Sequence, residues 1–405
     1  MTSLQTQCCI VGGGPAGIML GYLMARAGVD TVILEKHKDF LRDFRGDTVH
    51  PSTMQIMQDL GLLDDFLKLP HQKVSEMRGV FGHEELTIAD FSTLDTPCPY
   101  IAFMPQWDFL NFIADKGKAL PHLRVMMEAN VKSLTRVAGH VTGVEAETPD
   151  GPLHVSATLV VGADGRRSTV RENAGLAVED ERASIDVFWF RIGRFSGGQE
   201  GVAMNATHGH LVLTIDRGEY FQCAYVLAKG SADAVRARGL DAFHADVVAA
   251  VPNAAQTIND VQSWDDVKLL SVSVERLLEW SAPGLLCIGD AAHTMSPVGG
   301  VGINLAVQDA VATANLLSDK LREGQLTDED VKQVQARRLW PAKVVQTFQG
   351  LVQHRVLDPV LSAESGDPQL PLVARLISGS KSAQYLAAKF IGLGVRQERV
   401  RSIAV

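Results

Sequence analysis

Six residues, Gly12-Gly13-Gly14-Pro15-Ala16-Gly17, have the types and the spacing to hold a phosphate. Before them Gln5 to Val11 is a short apolar run that reads as a buried strand. After them Ile18 to Ala27 reads as a helix stopped by Gly28. Thr31 to Leu34 is a second apolar strand and ends in Glu35. In that setting Gly12 permits a tight turn, Gly14 lets the backbone approach a pyrophosphate, and Gly17 lets the helix pack closely on the strand. The helix start adds free N–H groups and a partial positive charge. Glu35 falls about twenty residues on, where a carboxylate accepts from ribose hydroxyls. The pattern fits a dinucleotide and does not separate FAD from NAD.

Two further motifs join glycine to aspartate. Val131 to Val137, His140 to Glu147 and Leu153 to Val161 read as three strands joined by hairpin turns at Ala138-Gly139 and Pro149-Asp150-Gly151. The third ends in Gly162-Ala163-Asp164-Gly165-Arg166-Arg167-Ser168-Thr169-Val170-Arg171, with Asp164 at the strand end. The second motif is Gly284 to Asn304, GLLCIGDAAHTMSPVGGVGIN. Leu285 to Ile288 is a short strand that leaves Asp290 at the mouth of the sheet. Pro297, Gly299, Gly300 and Gly302 form a loop of bare backbone, and Ile303 to Leu317 reads as a helix. Its first N–H groups could face an anionic edge of a flavin.

The set GGGPAG with Glu35, GADGRRSTVR and GDAAHTMSPVGGVGIN resembles the class A flavoprotein monooxygenases, the p-hydroxybenzoate hydroxylase-like family. The likeness runs from about residue 5 to about residue 350. It implies non-covalent FAD, NADH or NADPH as a transient reductant, and O₂. It also implies hydroxylation of an electron-rich, usually phenolic, small molecule through a flavin C4a-hydroperoxide. Carried over residue by residue, it implies that Gly12, Gly14, Ala16, Gly17, Glu35, Lys36, Arg45, Gln106, Val131, Asp164, Asp290, Pro297, Gly300, Gly302 and Ile303 bind the cofactor. The family has no second nucleotide fold, and no second GxGxxG with a helix and an acid occurs here.

The elements that must position these groups follow from the order of the motifs. The expected fold is α/β: a Rossmann-like FAD-binding domain with a parallel sheet and a β-meander, a β-sheet substrate-binding layer, and C-terminal helices. The expected divisions are residues 1–74, 101–180 and 275–340 for the FAD-binding domain, 75–100 and 181–274 for the substrate layer, and 341–405 for the helical segment. In the substrate layer Asp186 to Ile192, Leu211 to Ile215, Tyr220 to Ala228 and Val267 to Val274 read as strands. Alternation puts Tyr220, Gln222, Ala224 and Val226 on one face of theirs and Phe221, Cys223, Tyr225 and Leu227 on the other. Which face covers the flavin is not legible. Arg191 and Tyr220 are the catalytic candidates, because a phenol is activated by losing its proton; Gln222, His83, His208 and His210 are further polar candidates. His293 reads as serving loop structure. In the C-terminal part Trp340-Pro341 is expected to break a helix, Val344 to Leu361 to be helical, and Ser382 to Gly392 to form another amphipathic run.

Composition narrows the alternatives. With 38 Lys and Arg against 47 Asp and Glu the net charge is −9, a poor basis for binding nucleic acid or an anionic membrane. Five cysteines with no CxxC read as free thiols in a reducing cytoplasm, and no metal-ligand spacing appears. The apolar run Cys8 to Ala25 has four glycines and a proline at its centre, which excludes a membrane helix. The chain therefore reads as cytoplasmic; a monomer or homodimer is expected, and the resemblance implies a small aromatic substrate. Rivals on the same fold are an FAD-dependent oxidase or dehydrogenase and a quinone-ring hydroxylase of isoprenoid quinone biosynthesis. Phe188-Trp189-Phe190-Arg191-Ile192 is not the WxWxIP of a flavin halogenase. A non-catalytic flavin sensor is the rival from another class; reductant consumption stimulated by a ligand separates it from an enzyme.

Overall fold

The apolar run before the glycine turn forms a strand from Thr2 to Val11, and its last four residues, Cys8 to Val11, are buried. All four residues of Thr31–Leu34 are buried too, as befits a parallel strand covered by helices on both faces. The computed structural model describes residues 2–41, 47–81, 84–181, 183–198, 201–207, 209–362, 375 and 377–401. In the first sheet the strand order is Ser281–Ala282, Leu285–Cys287, Gly151–Gly162, Thr2–Val11, Thr31–Leu34 and Leu123–Met126. From Leu285–Cys287 onward every neighbour is parallel. The hairpin Asn130–Val137 and His140–Thr148 joins the near half of Gly151–Gly162 antiparallel, which gives the expected meander. Helices Pro15–Arg26, Gln106–Gly117 and Gly302–Arg322 pack beside the parallel strands.

The second sheet has seven strands, in the order Lys268–Ser271, Ile185–Gly193, Tyr220–Ala228, His210–Asp216, Val202–Thr207, Glu76–Phe81 and Glu84–Asp90. Only Val202–Thr207 with Glu76–Phe81 is parallel. Its two faces are now distinct. Phe221, Cys223, Tyr225 and Leu227 pack with Phe188, Phe190 and Phe243 under helix Leu240–Ala250. Phe243 touches Phe188, Phe190 and Tyr225 edge-on, with centroids 6.2, 5.3 and 5.5 Å away. On the other face Ala224 and Val226, with Trp189, Leu213 and Met204, join Val298 of the glycine loop. That face therefore turns toward the glycine loop.

Two sequence expectations are corrected. Val267 to Val274 is two strands rather than one. Lys268–Ser271 stays in the seven-stranded sheet, whereas Val274–Leu277 pairs with Val178–Glu181 in a separate ribbon. The break falls where the Val272 N–H donates to the Asp186 carboxylate at 3.0 Å, so the backbone bond goes to a side chain instead of a ladder. Nor does Trp340-Pro341 end a helix: Asp328–Val352 runs through it. Pro341 cannot donate to the carbonyl of Arg337 one turn back. The Arg396 guanidinium donates to that carbonyl instead, at 3.4 Å. A capping box of Thr327 and Asp330 starts this helix. It continues into a wider turn, Gln353–Leu357, and the short helix Asp358–Leu361.

Helix Lys381–Leu393 is tied back to the start of helix Pro51–Asp59 by a histidine. His50 is fully buried at the start of helix Pro51–Asp59, and its Nδ1–H donates to the Ile391 carbonyl at 2.9 Å. Burial pushes its pKa down to about 4, although the carbonyls of Ile391 and Gly300 pull it the other way. Between the ordinary value of 6.5 and about 4 the unfolded chain holds a proton on this ring that the folded chain does not. Stability is therefore full above that window and falls as pH drops through it, by about 3 kcal/mol in all. In His50→Gln, whose amide can still donate to Ile391, this part of the pH dependence should flatten. Urea midpoints measured from pH 7 to pH 4 for both proteins check this.

Candidate functional site

Three turns meet at the carboxyl ends of the parallel strands, where ligands of open α/β sheets bind. In the first, Gly12 has φ of +102°, and a Cβ there would lie 2.5 Å from the Ala163 carbonyl oxygen. A Cβ on Gly17 would lie 1.9 Å from the Gly12 oxygen, so both glycines are required by close packing. At Gly14 an added Cβ meets nothing within 4 Å among the described residues. The turn is thus closed toward the protein and open at Gly14. Helix Pro15–Arg26 starts there with no side-chain cap and no acid in its first turn; Ala16 is buried in that turn. The Glu35 carboxylate braces the turn, accepting from the N–H groups of Gly13 at 2.8 Å and His37 at 3.0 Å. Lys36 beside it is exposed.

The second turn is Gly289-Asp290. A Cβ on Gly289 would lie 3.0 Å from that of Ala16, so the first and second turns are in contact. The Asp290 side chain is 38% exposed, and its carboxylate is 3.9 Å from Arg166. Beyond it Pro297 leads into Val298–Gly300, where Gly300 has φ of +63° and its carbonyl accepts from the Thr48 hydroxyl at 2.9 Å. Helix Gly302–Arg322 then begins, again with no side-chain cap and no acid in its first turn. Gly302 is open where a Cβ would stand, whereas Ile303 is buried. The Thr53 hydroxyl donates to Asn304 at 2.6 Å and fixes this helix start against Pro51–Asp59.

The third turn is different. Asp164 receives the Ser168 hydroxyl at 2.5 Å and the Val170 N–H at 3.2 Å, so both carboxylate oxygens serve the start of helix Thr169–Ala174. Burial raises its pKa despite those donors. Val131 is a buried core residue paired with Ala146. Gln106 opens helix Gln106–Gly117 and gives its backbone N–H to Asp47. Arg45, His83 and His208 lie outside the described residues.

Arg191 and Tyr220 do come together. Their strands pair, and the Arg191 guanidinium stands 5.1 Å from the Tyr220 ring centre, on the face that carries Gln222. Gln222 and Asp47 meet at Arg217, which pairs with the Asp47 carboxylate and donates to Gln222 at 2.8 and 3.1 Å. Burial pushes the Asp47 carboxyl up even with Arg217 beside it. His210 is on the opposite face: its Nδ1 meets the Tyr225 hydroxyl at 3.1 Å, under the helices.

Residues 5–347 match the family model described as FAD binding domain. The chain belongs to this FAD-binding family. It is 33% identical over 337 residues to a 6-methylpretetramide 4-monooxygenase of Streptomyces rimosus, covering 82% of this chain and 80% of that protein. It is 25% identical over 325 residues to a para-nitrophenol 4-monooxygenase of Pseudomonas sp. (strain WBC-3), covering 78% and 79%. The crystal structure of a p-nitrophenol 4-monooxygenase, PnpA of Pseudomonas putida DLL-E4, superposes with a TM-score of 0.79 over 98% of this chain and 100% of that one, at 22% identity, which shows the shared fold. The resemblance to the class A, p-hydroxybenzoate hydroxylase-like enzymes is borne out: this is an FAD-dependent monooxygenase of aromatic compounds. No helix among the described residues is long and apolar enough to cross a membrane.

His293 does serve the loop of the monooxygenase's second turn, as its sequence setting suggests, but sequence reasoning missed its partners. Asp309, fully buried, accepts from His293 Nε2–H at 2.6 Å, Arg338 Nε–H at 2.8 Å and the Gly289 N–H at 3.1 Å. Arg338 in turn lies 3.6 Å from buried Glu398, which Arg337 also grips at 2.8 Å. A signal existed: Asp309 interrupts an otherwise apolar helix face in NLAVQDAVATANLL. Burial alone would raise the Asp309 pKa, but His293 and Arg338 outweigh it and hold the carboxyl below the usual range. Asp309→Asn should break the close pair and leave the Arg338 charge only Glu398, 3.6 Å away, at a cost of about 3–5 kcal/mol of stability. A denaturant midpoint lowered to match, beside a smaller loss in Asp59→Asn at the exposed Arg399 pair, is the expected result.

Proposed function

We propose that FAD lies across the first two turns, with its phosphates at Gly14 and the start of helix Pro15–Arg26. Its ring would lie by Gly300 and Gly302. What carries this reading is the pair of helices that flank Gly289, whose starts have no side-chain cap among the described residues, no acid in the first turn, and one open glycine each. A cradle built this way suits a diphosphate at one end and an electron-accepting ring at the other. Glu35, already holding the turn through Gly13, accepts from the ribose, and half-exposed Asp290 accepts from the hydroxylated linker. When bound, FAD supplies the oxygen-transferring chemistry, with NADH or NADPH as reductant.

The chain's own residues then have separate tasks. Helix Gly302–Arg322 offers N–H groups that favour negative charge at its start. Thr48 holds Gly300 in place. The substrate lies on the sheet face opposite Phe243, where Trp189, Leu213 and Ala224 exclude water and Arg191 with Tyr220 hold a phenolic oxygen. A cation there favours the phenolate, the more electron-rich form. A phenolic substrate accords with the named para-nitrophenol relative.

Purified protein should carry close to one releasable FAD per chain, and a colourless protein that binds no added FAD would sink this reading. Asp290→Ala should lower FAD affinity about tenfold or more, the worth of a charge-assisted hydrogen bond, with the fold intact by circular dichroism. Gly302→Val should keep FAD but lower the ratio of hydroxylated phenol to NAD(P)H consumed, with H₂O₂ rising to match. An unchanged ratio would remove this loop from the reacting edge.

A further inference from the structure

The long helix Asp328–Val352 carries three glutamines along one face, Gln346, Gln349 and, in the turn that follows, Gln353. They are between 1% and 3% exposed. Two are fully occupied in holding the backbone before the glycine loop. Gln346 donates to the carbonyls of Glu275 and Thr294 at 3.1 and 3.0 Å and accepts from Arg276. Gln349 accepts from the Ser296 N–H at 3.1 Å and donates to the carbonyls of Ser296 and Val298, both at 2.8 Å. Gln353 differs. Its Nε2 donates to the Ser184 hydroxyl at 2.6 Å, while its Oε1 makes no hydrogen bond among the described residues.

These glutamines border a cavity of about 280 Å³, together with Ser296, Gly350 and His354. The Ser296 hydroxyl accepts distantly from Val298 N–H, at 3.4 Å, and donates to nothing among the described residues. The cavity is thus bordered by one residue whose side-chain acceptor has no donor and one whose hydroxyl has no acceptor among the described residues. Gly350 keeps it open: glycine is a poor residue for a helix interior, yet a Cβ here would meet nothing within 4 Å. His354 is bonded to Asp358 at 2.9 Å, and Asp358 accepts from Ser184 at 2.6 Å, so these groups are engaged with each other.

We propose that this cavity is a second compartment of the substrate site, receiving the distal, oxygen-bearing ring of a multi-ring aromatic substrate. Ser296 directly precedes Pro297, and Val274, which lines the cavity, packs in one cluster with Val298, Trp189, Leu213 and Ala224, so the cavity adjoins that sheet face. A phenolic O–H there donates to Gln353 Oε1, and a ring carbonyl accepts from Ser296 Oγ–H. Neutral hydrogen-bonding groups on the walls select a neutral ring rather than a carboxylate. At about 280 Å³ the space lies just under that of pockets taking whole drug-sized ligands, which suits part of a substrate. The proposal rests on the aromatic hydroxylase reading.

The test is equilibrium dialysis of the FAD-loaded protein against 1,8-dihydroxyanthraquinone and against phenol, with flavin absorbance recorded throughout. Gly350→Leu plugs the cavity from an open helical position, and Gln353→Leu removes the unpaired acceptor. Both should keep FAD and the phenol affinity of the unaltered chain while weakening the anthraquinone about tenfold. Equal anthraquinone affinity in all three proteins, no anthraquinone binding to the unaltered chain, or a parallel loss of phenol would each overturn the compartment. Anthraquinone binding that the plug abolishes in a chain holding no FAD would overturn the reading of the reaction and leave the compartment standing.

Discussion

The carboxylate of Asp309 is the constraint on which the rest of the site depends. It lies in the middle of helix Gly302–Arg322, it is inaccessible to water, and it is met by donors from three other places in the chain: Gly289, His293 and Arg338. A buried ion pair of this kind adds little net stability over a well-packed apolar group. What it adds is register. An apolar side chain could slide by half a turn of helix at small cost, but a carboxylate with three fixed donors has one position that satisfies them all. The strand-end turn with Asp290, the helix that follows the glycine loop, and the long helix behind it are therefore indexed to one another. Glu398 extends the same index to the segment after the C-terminal helix, through Arg337 and Arg338.

Much of this was legible in the residues. The glycine turns announce themselves because few residue types tolerate the required backbone: Gly12 and Gly300 both have positive φ, and no side chain fits at Gly17. The strands of the second sheet show in their alternation, since one face packs on helices. What did not show is pairing at a distance. Nothing near Arg337 marks its carbonyl as the acceptor for Arg396, so Pro341 reads as a helix breaker when its cost is in fact offset from 55 residues away. Asp164 reads as a ligand group through the resemblance; the structure adds that its oxygens receive Ser168 and Val170 at the helix that Ser168 caps, a local role that its spacing to Ser168 also offers. His210 lost its place because face assignment needs the partner layer, which alternation alone does not supply.

The glutamines of the long helix illustrate a third kind of information. In the structure they stand in for a missing strand. The segment from Thr294 to Val298 has no ladder partner, so its carbonyls and the Ser296 N–H bond to side-chain amides. An amide side chain reproduces both halves of a peptide group, which makes glutamine the natural substitute for backbone where a loop must be held without becoming a strand.

The pairing of Thr2–Val11 with Gly151–Gly162 has a consequence for how the molecule is made. The two strands are register partners about 150 residues apart, as with Thr2 opposite Leu153. A ribosome adding about 5–20 residues each second leaves the first strand without that neighbour for roughly 8–30 seconds. During that interval Cys8, Cys9, Ile10 and Val11, which end as fully enclosed residues, have only the local helix and Thr31–Leu34 to shelter them. The second sheet repeats the delay, since Glu76–Phe81 awaits Val202–Thr207. A nascent chain of this design presents unpaired strand edges twice over, each a site where another chain can add before the native partner is made.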